Sequence, residues 1–272
     1  MISRSLLADP TRPHWRRPGA PRPVAMTVFE PSGPGPYPVV LLSHGTGGEV
    51  GDLAWFAEGL AAGGHLVVGV DHHGNTSRES YDPRGFVRWW ERPLDLSVAL
   101  DAVLDTYDVD RDRIAVAGFS LGGYTAAALV GARVSTVAYA ALAEDPGRAP
   151  VLPEYPNLVE DLRAVVDERG FADYVEECGR DVRDRRVRAA YLMAPMGGPL
   201  LDPDSLRGIG APVRVVWGDA DEILPPEVFA RFYLTHVPDV SGRSLGADLG
   251  HYGFVSAAPP AGAVADALAF LG

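Results

Sequence analysis

The sequence predicts an α/β fold in which helices flank a mostly parallel central sheet. Short apolar runs that end in polar or glycine-rich turns alternate with amphipathic stretches, which is typical of successive βα units. The chain has 272 residues, and 47% of them are hydrophobic, so it can bury one large core. We therefore expect a single domain over residues 1–272.

Seven segments carry the strand signal, because they are short and apolar or rich in β-formers and are bounded by turn residues. They are residues 24–29 (an edge hairpin or early strand), 38–43, 66–70, 113–118, 187–194, 213–217 and 242–246. Five segments have the apolar spacing of helices. They are residues 53–62, 94–107, 121–130, 226–234 and 261–270.

The regular alternation is interrupted between residues 144 and 186. This stretch is highly charged, and it holds two polar amphipathic segments around residues 158–168 and 171–178. We interpret 144–186 as a helical, lid-like insertion that lies over the sheet and the active site.

Composition limits the class of function. The net charge of −12 disfavours a nucleic-acid partner, and every one of the 24 Lys and Arg residues is Arg, which excludes lysine Schiff-base chemistry and the P-loop lysine. Cys178 is the only cysteine, so neither an internal disulfide nor a cysteine-based zinc site can form. No long apolar stretch predicts a membrane span. We expect a cytoplasmic enzyme of unknown oligomeric state.

The strongest local motif is Gly118-Phe-Ser-Leu-Gly122, which fits the pattern G-x-S-x-G. It lies between a predicted strand and a predicted helix, where a sharp turn would hold the Ser120 hydroxyl clear of the backbone. An ordinary glycine-rich loop with an N-capping serine is the alternative. The flanking elements favour Ser120 as a nucleophile.

A serine nucleophile needs a base, and the base needs a third group that orients it. Where this strand-turn-helix motif occurs, the acid and then the histidine follow the serine along the chain. Of the two histidines after Ser120, His251 lies in a glycine-flanked loop, whereas His236 lies at a predicted helix end. We therefore predict that His251 is the base.

Three carboxylates compete for the role of the acid in the turn after residues 213–217. They are Asp219, Asp221 and Glu222. We expect Asp219 to bond the amides of the turn, as Asp often does, and Asp221 to point toward the base. Asp221 is therefore the predicted acid, with Asp219 and Glu222 left as alternatives.

Acyl transfer also needs donors for the oxyanion, usually backbone N–H groups. The candidates are the amides of Thr46, in the glycine-rich loop 44–48, and of Leu121, directly after the nucleophile. Trp89 and Trp90 lie in a charged, loop-like setting and are predicted to bind substrate or line the pocket entrance. The adjacent His72 and His73 lack the ligand set of a metal site, and no metal is expected.

Several motifs in order resemble the α/β-hydrolases related to dienelactone hydrolase. The resemblance is to their serine-using branch, which is also similar to platelet-activating-factor acetylhydrolases and cutinase-like esterases. The motifs are residues 42–48, 70–75, 92–95, 118–122, 217–221 and 250–254. The resemblance covers residues 26–254 and implies the α/β-hydrolase fold, the set Ser120, Asp221 and His251, and an oxyanion hole at Thr46 and Leu121.

Dienelactone hydrolase uses a cysteine nucleophile where this chain has Ser120. The resemblance therefore implies hydrolysis of a small-molecule carboxylic ester through an acyl-enzyme, without a cofactor. Thioesterase, peptidase and acyltransferase activities remain alternatives, because the same residues act on any acyl carbonyl. A catalytically silent hydrolase fold that serves as a ligand receptor is the alternative from another class.

Overall fold

The computed structural model describes residues 1–144, 152–260 and 262–272. Eight strands in these residues form one sheet. In chain order they are β1 Ile2–Pro13, β2 Pro21–Phe29, β3 Tyr37–Ser43, β4 Leu66–Asp71, β5 Val109–Phe119, β6 Ala189–Met193, β7 Val213–Trp217 and β8 Val240–Ser244. Across the sheet the order is β1-β2-β4-β3-β5-β6-β7-β8. β1 and β2 run antiparallel to each other and β2 runs antiparallel to β4, whereas every pair from β4 to β8 is parallel.

Helices cover both faces of this sheet. Their bounds are α1 Ala54–Ala62, α2 Pro83–Val87, α3 Arg92–Thr106, α4 Leu121–Leu129, α5 Thr136–Glu144, α6 Leu158–Val165, α7 Glu168–Cys178, α8 Pro203–Arg207, α9 Phe229–His236 and α10 Ala263–Leu271. α3, α4 and α9 pack into the core on one face, and α1 and α10 pack into the core on the other. No helix in the described residues is long and apolar enough to cross a membrane.

The predicted α/β architecture with a mostly parallel sheet is confirmed. The central strands follow the apolar runs closely, since side chains on both faces are buried: residues 39–42 of β3 are fully buried. The structure also has elements that the sequence did not indicate, namely β1, α2, α5 and α8. Part of the expected insertion, residues 145–151, lies outside the described residues, so the single-domain organisation and the insertion over 144–186 stay predictions.

A buried polar network joins the antiparallel edge of the sheet to its centre. Arg22 on β2 donates two hydrogen bonds to Asp95 on α3, at 2.8 and 3.1 Å. Asp95 also accepts a 2.9 Å hydrogen bond from Nδ1 of His72, directly after β4. Nε2 of His72 in turn lies 2.9 Å from the hydroxyl of Ser43, at the end of β3. The network thus fixes the carboxyl ends of two neighbouring parallel strands.

Arg92 extends this network to the loop that follows β3. Its guanidinium donates to the Ser43 hydroxyl at 3.2 Å and to the backbone carbonyl of His44. Burial, reinforced by the Arg92 charge, lowers the pKa of His72 to about 3 and lowers the pKa of His44 well below its usual range. Both imidazoles are therefore neutral in the folded protein at neutral pH.

These neutral histidines predict acid-sensitive folding. Between pH about 6.5 and about 3 the unfolded chain binds a proton at His72 that the folded chain does not, so the free energy of unfolding falls as the pH is lowered. In His72→Gln we expect this fall to be shallower by about 1.4 kcal/mol per pH unit, which corresponds to one proton. Urea denaturation of both proteins at several pH values within this window measures the two slopes. Equal slopes would contradict a neutral, buried His72.

Candidate active site

Ser120 lies in a sharp turn between β5 and α4. Its backbone has φ 55° and ψ −117°, a conformation that a non-glycine residue adopts only when its surroundings hold it there. The Ser120 amide donates to the carbonyl of Met193 on the adjacent strand at 2.9 Å. The Ser120 carbonyl accepts from the amides of Gly123 and Met196, both at 2.9 Å. These bonds on both sides of the residue keep the strained turn in place.

Two glycines make this turn possible, because at each of them another backbone segment lies too close to leave room for a side chain. A Cβ at Gly118 would lie 2.0 Å from the carbonyl oxygen of Gly122. A Cβ at Gly122 would lie 2.0 Å from the carbonyl oxygen of Ser43, at the end of β3. The spacing of the G-x-S-x-G motif therefore reflects close packing of α4 against the ends of β5 and β3.

The structure brings Ser120, His251 and Asp221 into contact. Nε2 of His251 lies 3.0 Å from the Ser120 hydroxyl, and Nδ1 of His251 lies 2.7 Å from a carboxylate oxygen of Asp221. The three residues are only 3–7% exposed, although they are 30 or more positions apart in the chain. The ring of Phe119 lies against the imidazole, with centroids 4.9 Å apart.

The position of each hydrogen bond defines what the imidazole can do. An ionised Asp221 can only accept, so Nδ1 of His251 carries the proton and Nε2 presents its lone pair to Ser120. The second oxygen of Asp221 accepts from the amides of Ile223 and Leu224 at 3.0 and 2.8 Å, which fixes the carboxylate. The arrangement can accept a proton from the serine hydroxyl.

The other candidates near this turn lie apart from the imidazole. We expected Asp219 to bond the turn amides, but it accepts instead from the indole N–H of Trp217 at 3.0 Å, and Asp221 itself bonds the amides. Glu222 is exposed on the wall of the adjacent cavity. His236 ends α9 and packs against Phe232, with ring centroids 4.6 Å apart.

Loop 44–48 borders Ser120, and hydrogen bonds hold its backbone in place. The amide of Gly47 donates to the side chain of Asn75 at 2.6 Å, and the carbonyl of Gly47 accepts from the Tyr81 hydroxyl at 2.7 Å. Nδ1 of His44 donates to the carbonyl of Gly45 at 2.7 Å. Within the described part of the chain, the amides of Thr46 and Leu121 have no hydrogen-bond acceptor.

A cavity of about 1480 Å³ opens above these residues. Ser120 and His251 lie in its wall, together with Thr46 and Trp89. Most of the lining is apolar, and α6 and α7 contribute residues four positions apart, such as Leu158 and Leu162, or Phe171 and Val175. We did not predict these lining residues, although their four-residue spacing is a signal of a shared helix face.

The prediction that Trp90 lines the pocket is wrong. Its side chain is fully buried in the core, where it makes edge contacts with the rings of Tyr139 and Tyr174, at centroid distances of 5.5 and 6.2 Å. Trp89 and Trp90 lie in one turn of 3₁₀-helix, in which successive side chains point about 120° apart. Trp89 therefore reaches the cavity while Trp90 packs inward.

The neighbouring histidines have separate partners. His72 belongs to the buried network with Asp95, whereas Nδ1 of His73 lies 2.7 Å from Glu79. Within the described ranges, no three or more His, Cys, Asp or Glu side chains are grouped so that they could hold a metal ion.

Comparisons with known proteins agree with this architecture. The sequence profile of a family described as "Serine aminopeptidase, S33" matches residues 34–144. That range contains loop 44–48 and Ser120 but ends before Asp221 and His251. A search of curated proteins gives no significant match.

Among solved structures, a ferulic acid esterase from Streptomyces cinnamoneus superposes with a TM-score of 0.60. It is 21% identical to this chain, and the match covers 93% of this chain and 75% of the esterase chain. In total 1029 chains of solved structures match, so the fold is widespread and does not by itself assign an activity. The sheet order, the turn at Ser120 and this similarity identify the α/β-hydrolase fold in this protein.

Proposed function

We propose that this protein is a serine hydrolase that cleaves carboxylic esters through an acyl-enzyme on Ser120. The main support is a pair of contacts made by His251 beside a largely apolar cavity. Nε2 lies 3.0 Å from the Ser120 hydroxyl, and Nδ1 lies 2.7 Å from the Asp221 carboxylate. A nucleophile, a base and a group that orients the base are thus assembled where a substrate can reach them. Access from the cavity distinguishes these three residues from an ordinary buried polar cluster.

The first half of the reaction forms the acyl-enzyme. Nε2 of His251 accepts the Ser120 proton while Oγ attacks the ester carbonyl, and the resulting imidazolium is stabilised by Asp221. As the tetrahedral intermediate collapses, the bond to the alkoxy group breaks, and His251 donates its proton to the leaving alcohol. In the second half, water attacks the acyl carbonyl while His251 accepts a proton from it. As this intermediate collapses, the bond between the acyl carbon and Oγ breaks, His251 returns the proton to Ser120, and the carboxylic acid is released.

The amides of Thr46 and Leu121 are the proposed donors to the oxyanion. In a trans peptide the C=O and N–H groups point in opposite directions. Because His44 holds the carbonyl of Gly45 at 2.7 Å, the N–H of Thr46 in the same peptide unit is directed away from His44 and is fixed before substrate binds. Leu121 is the first residue of α4, where the N–H has no partner within the helix.

Ester hydrolysis is preferred to the other acyl-transfer activities for two reasons. The apolar lining suits esters with hydrophobic groups, and the structural neighbour is a ferulic acid esterase. A peptidase is the second candidate, since the matching family profile is described as a serine aminopeptidase. Parallel assays with 4-nitrophenyl esters and aminoacyl 4-nitroanilides separate the two, and faster anilide cleavage would favour the peptidase.

Replacing the nucleophile should abolish turnover. In Ser120→Ala we expect kcat for 4-nitrophenyl esters to fall by at least about 10³-fold, since only the oxyanion donors and the binding cavity remain. A fluorophosphonate probe should label the wild type on Ser120 and should not label the variant. Mass spectrometry of the labelled protein gives the modified residue.

Ser43 provides a stringent control for this experiment. It also contacts a histidine that contacts an aspartate, but it is fully buried, so the probe should not reach it. Label on Ser43, or full esterase activity in Ser120→Ala, would disprove the proposal. Exposed Ser32, in the turn after β2, offers a neutral variant, Ser32→Ala, for comparison of yield and activity.

His44 is expected to position the Thr46 amide. His44→Leu removes the donor to the Gly45 carbonyl, so we expect kcat to fall by about tenfold or more with little change in KM, because the amide bonds the oxyanion and not the ground state. His44→Asn keeps an N–H donor on a short side chain and should recover part of the loss. Steady-state kinetics with thermal melts of each variant measure both effects.

A purely structural role for His44 predicts a different pattern. In that case the loss of activity would follow the loss of melting temperature, and Asn would be no better than Leu at equal stability. A rise in KM with unchanged kcat would likewise contradict the assignment, since it would indicate that the loop binds substrate and transition state equally.

A further inference from the structure

The cavity above Ser120 is large for a single small ligand. At about 1480 Å³ it exceeds the range of about 300–1,000 Å³ that is usual for small-molecule pockets. Aromatic and aliphatic side chains supply most of its wall, including Phe86, Trp89, Phe171 and Phe229. Such a cavity can bury large hydrophobic groups of an ester.

The charged side chains around this apolar wall are nearly all acidic. Six carboxylates and one guanidinium belong to described residues that line the cavity. They are Asp52, Glu144, Glu154, Asp167, Glu168 and Glu222, with Arg163 as the cation. Residues 145–151 contain one Asp and one Arg, so their formal charges cancel, and the whole chain carries −12. The described residues that line the cavity therefore carry a net negative charge.

Two of these carboxylates lie next to the proposed reaction centre. Glu154 accepts a 3.0 Å hydrogen bond from the hydroxyl of Tyr252, the residue after His251. The side chain of Glu154 also packs over Gly47, where a Cβ on the glycine would lie 3.1 Å from that of Glu154. Glu222 directly follows Asp221 in the chain and lines the same cavity. Negative charge thus lies beside both the oxyanion loop and the acid-bearing turn.

Arg163 cannot balance these groups, because it is one cation against six carboxylates. It lies on α6 and is exposed to solvent, as are all of the carboxylates except Glu154, so solvent screens both signs of charge and the excess of negative charge remains. A cavity lined by one sign of charge with low-dielectric walls focuses its field on an entering ligand. A substrate that carries a carboxylate would meet this field and would also lose hydration on entering the apolar wall.

We infer that the cavity takes uncharged esters with large hydrophobic groups and disfavours esters that carry a free carboxylate. This inference rests on the proposed function, because it assigns a substrate class to the same site. A cationic ester would be attracted by the negative charge of the lining, but it would lose hydration on entering the apolar cavity as an anionic ester does. The sign of the charge is therefore best isolated by comparing an anionic ester with a cationic one.

Three 4-nitrophenyl esters of similar length test the inference. They are the hexanoate, the half-ester of adipic acid, which ends in a carboxylate, and the 6-(trimethylammonio)hexanoate. At an ionic strength of about 0.02 M we expect kcat/KM for the anion to be at least about tenfold below that for the hexanoate and for the cation. Raising the ionic strength to about 0.5 M should reduce the cation-to-anion ratio.

Charge variants of the lining predict shifts in opposite directions. Glu154→Gln and Glu222→Gln should each lower the cation-to-anion ratio of kcat/KM, whereas Arg163→Gln should raise it. Glu160→Gln is the matched control, because Glu160 is an exposed residue of α6 outside the cavity lining. Opposite shifts cannot arise from a general folding defect, which would lower all rates together.

The outcomes distinguish this inference from the function on which it rests. If the anion is hydrolysed as fast as the cation at low ionic strength, or if Glu154→Gln, Glu222→Gln and Arg163→Gln all leave the ratio unchanged, the inference is wrong while the esterase activity stands. If none of the three esters is hydrolysed and the fluorophosphonate probe does not label Ser120, the proposed function fails, and the inference fails with it.

Discussion

The bidentate ion pair between Arg22 and Asp95 is the interaction on which the active-site end of the sheet depends. It is almost completely buried, and removing one partner of such a pair typically costs about 3–5 kcal/mol. Asp95 in turn orients His72, which holds Ser43 at the end of β3. Through this chain of contacts the antiparallel edge of the sheet and α3 determine where loop 44–48 begins. The proposed catalytic geometry therefore depends on a buried ion pair that does not contact the substrate.

The same sheet also holds the backbone of Ser120 in its strained conformation. The residue keeps φ 55° because β6, α4 and the amide of Met196 bond its amide and carbonyl, and because Gly118 and Gly122 let the backbone segments approach closely. The donors in loop 44–48 are fixed separately, by side chains that bond its carbonyls and amides. The proposed nucleophile and the proposed oxyanion donors are thus positioned before substrate binds, which is the condition for effective electrostatic stabilisation.

Sequence reasoning predicted the parallel core well, because the central strands β3 and β4 are buried on both faces and so appear in the sequence as apolar runs. It did not indicate β1, whose side chains are mostly exposed and whose sequence includes Pro10 and Pro13. The structure brings Ser120, Asp221 and His251 into contact from three separate motifs, and their catalytic roles stay a prediction. Side-chain direction was harder to predict. Trp90 turns into the core because it follows Trp89 within one 3₁₀ turn, where successive side chains point about 120° apart, and so short an element leaves no periodicity in the sequence.

Two sets of Ser, His and Asp with nearly equal contact distances occur among the described residues, and they differ in their surroundings. In the set of Ser43, His72 and Asp95 the distances are 2.9 and 2.9 Å, yet burial and the neighbouring charge of Arg92 lower the pKa of His72 to about 3. Such an imidazole is too weak a base to take a serine proton near neutral pH, and no substrate could reach a fully buried hydroxyl. The set at Ser120 has its hydroxyl and imidazole in a cavity wall instead. Residue identity and contact therefore do not define a nucleophile in this fold. Access and the local charge decide which serine can react.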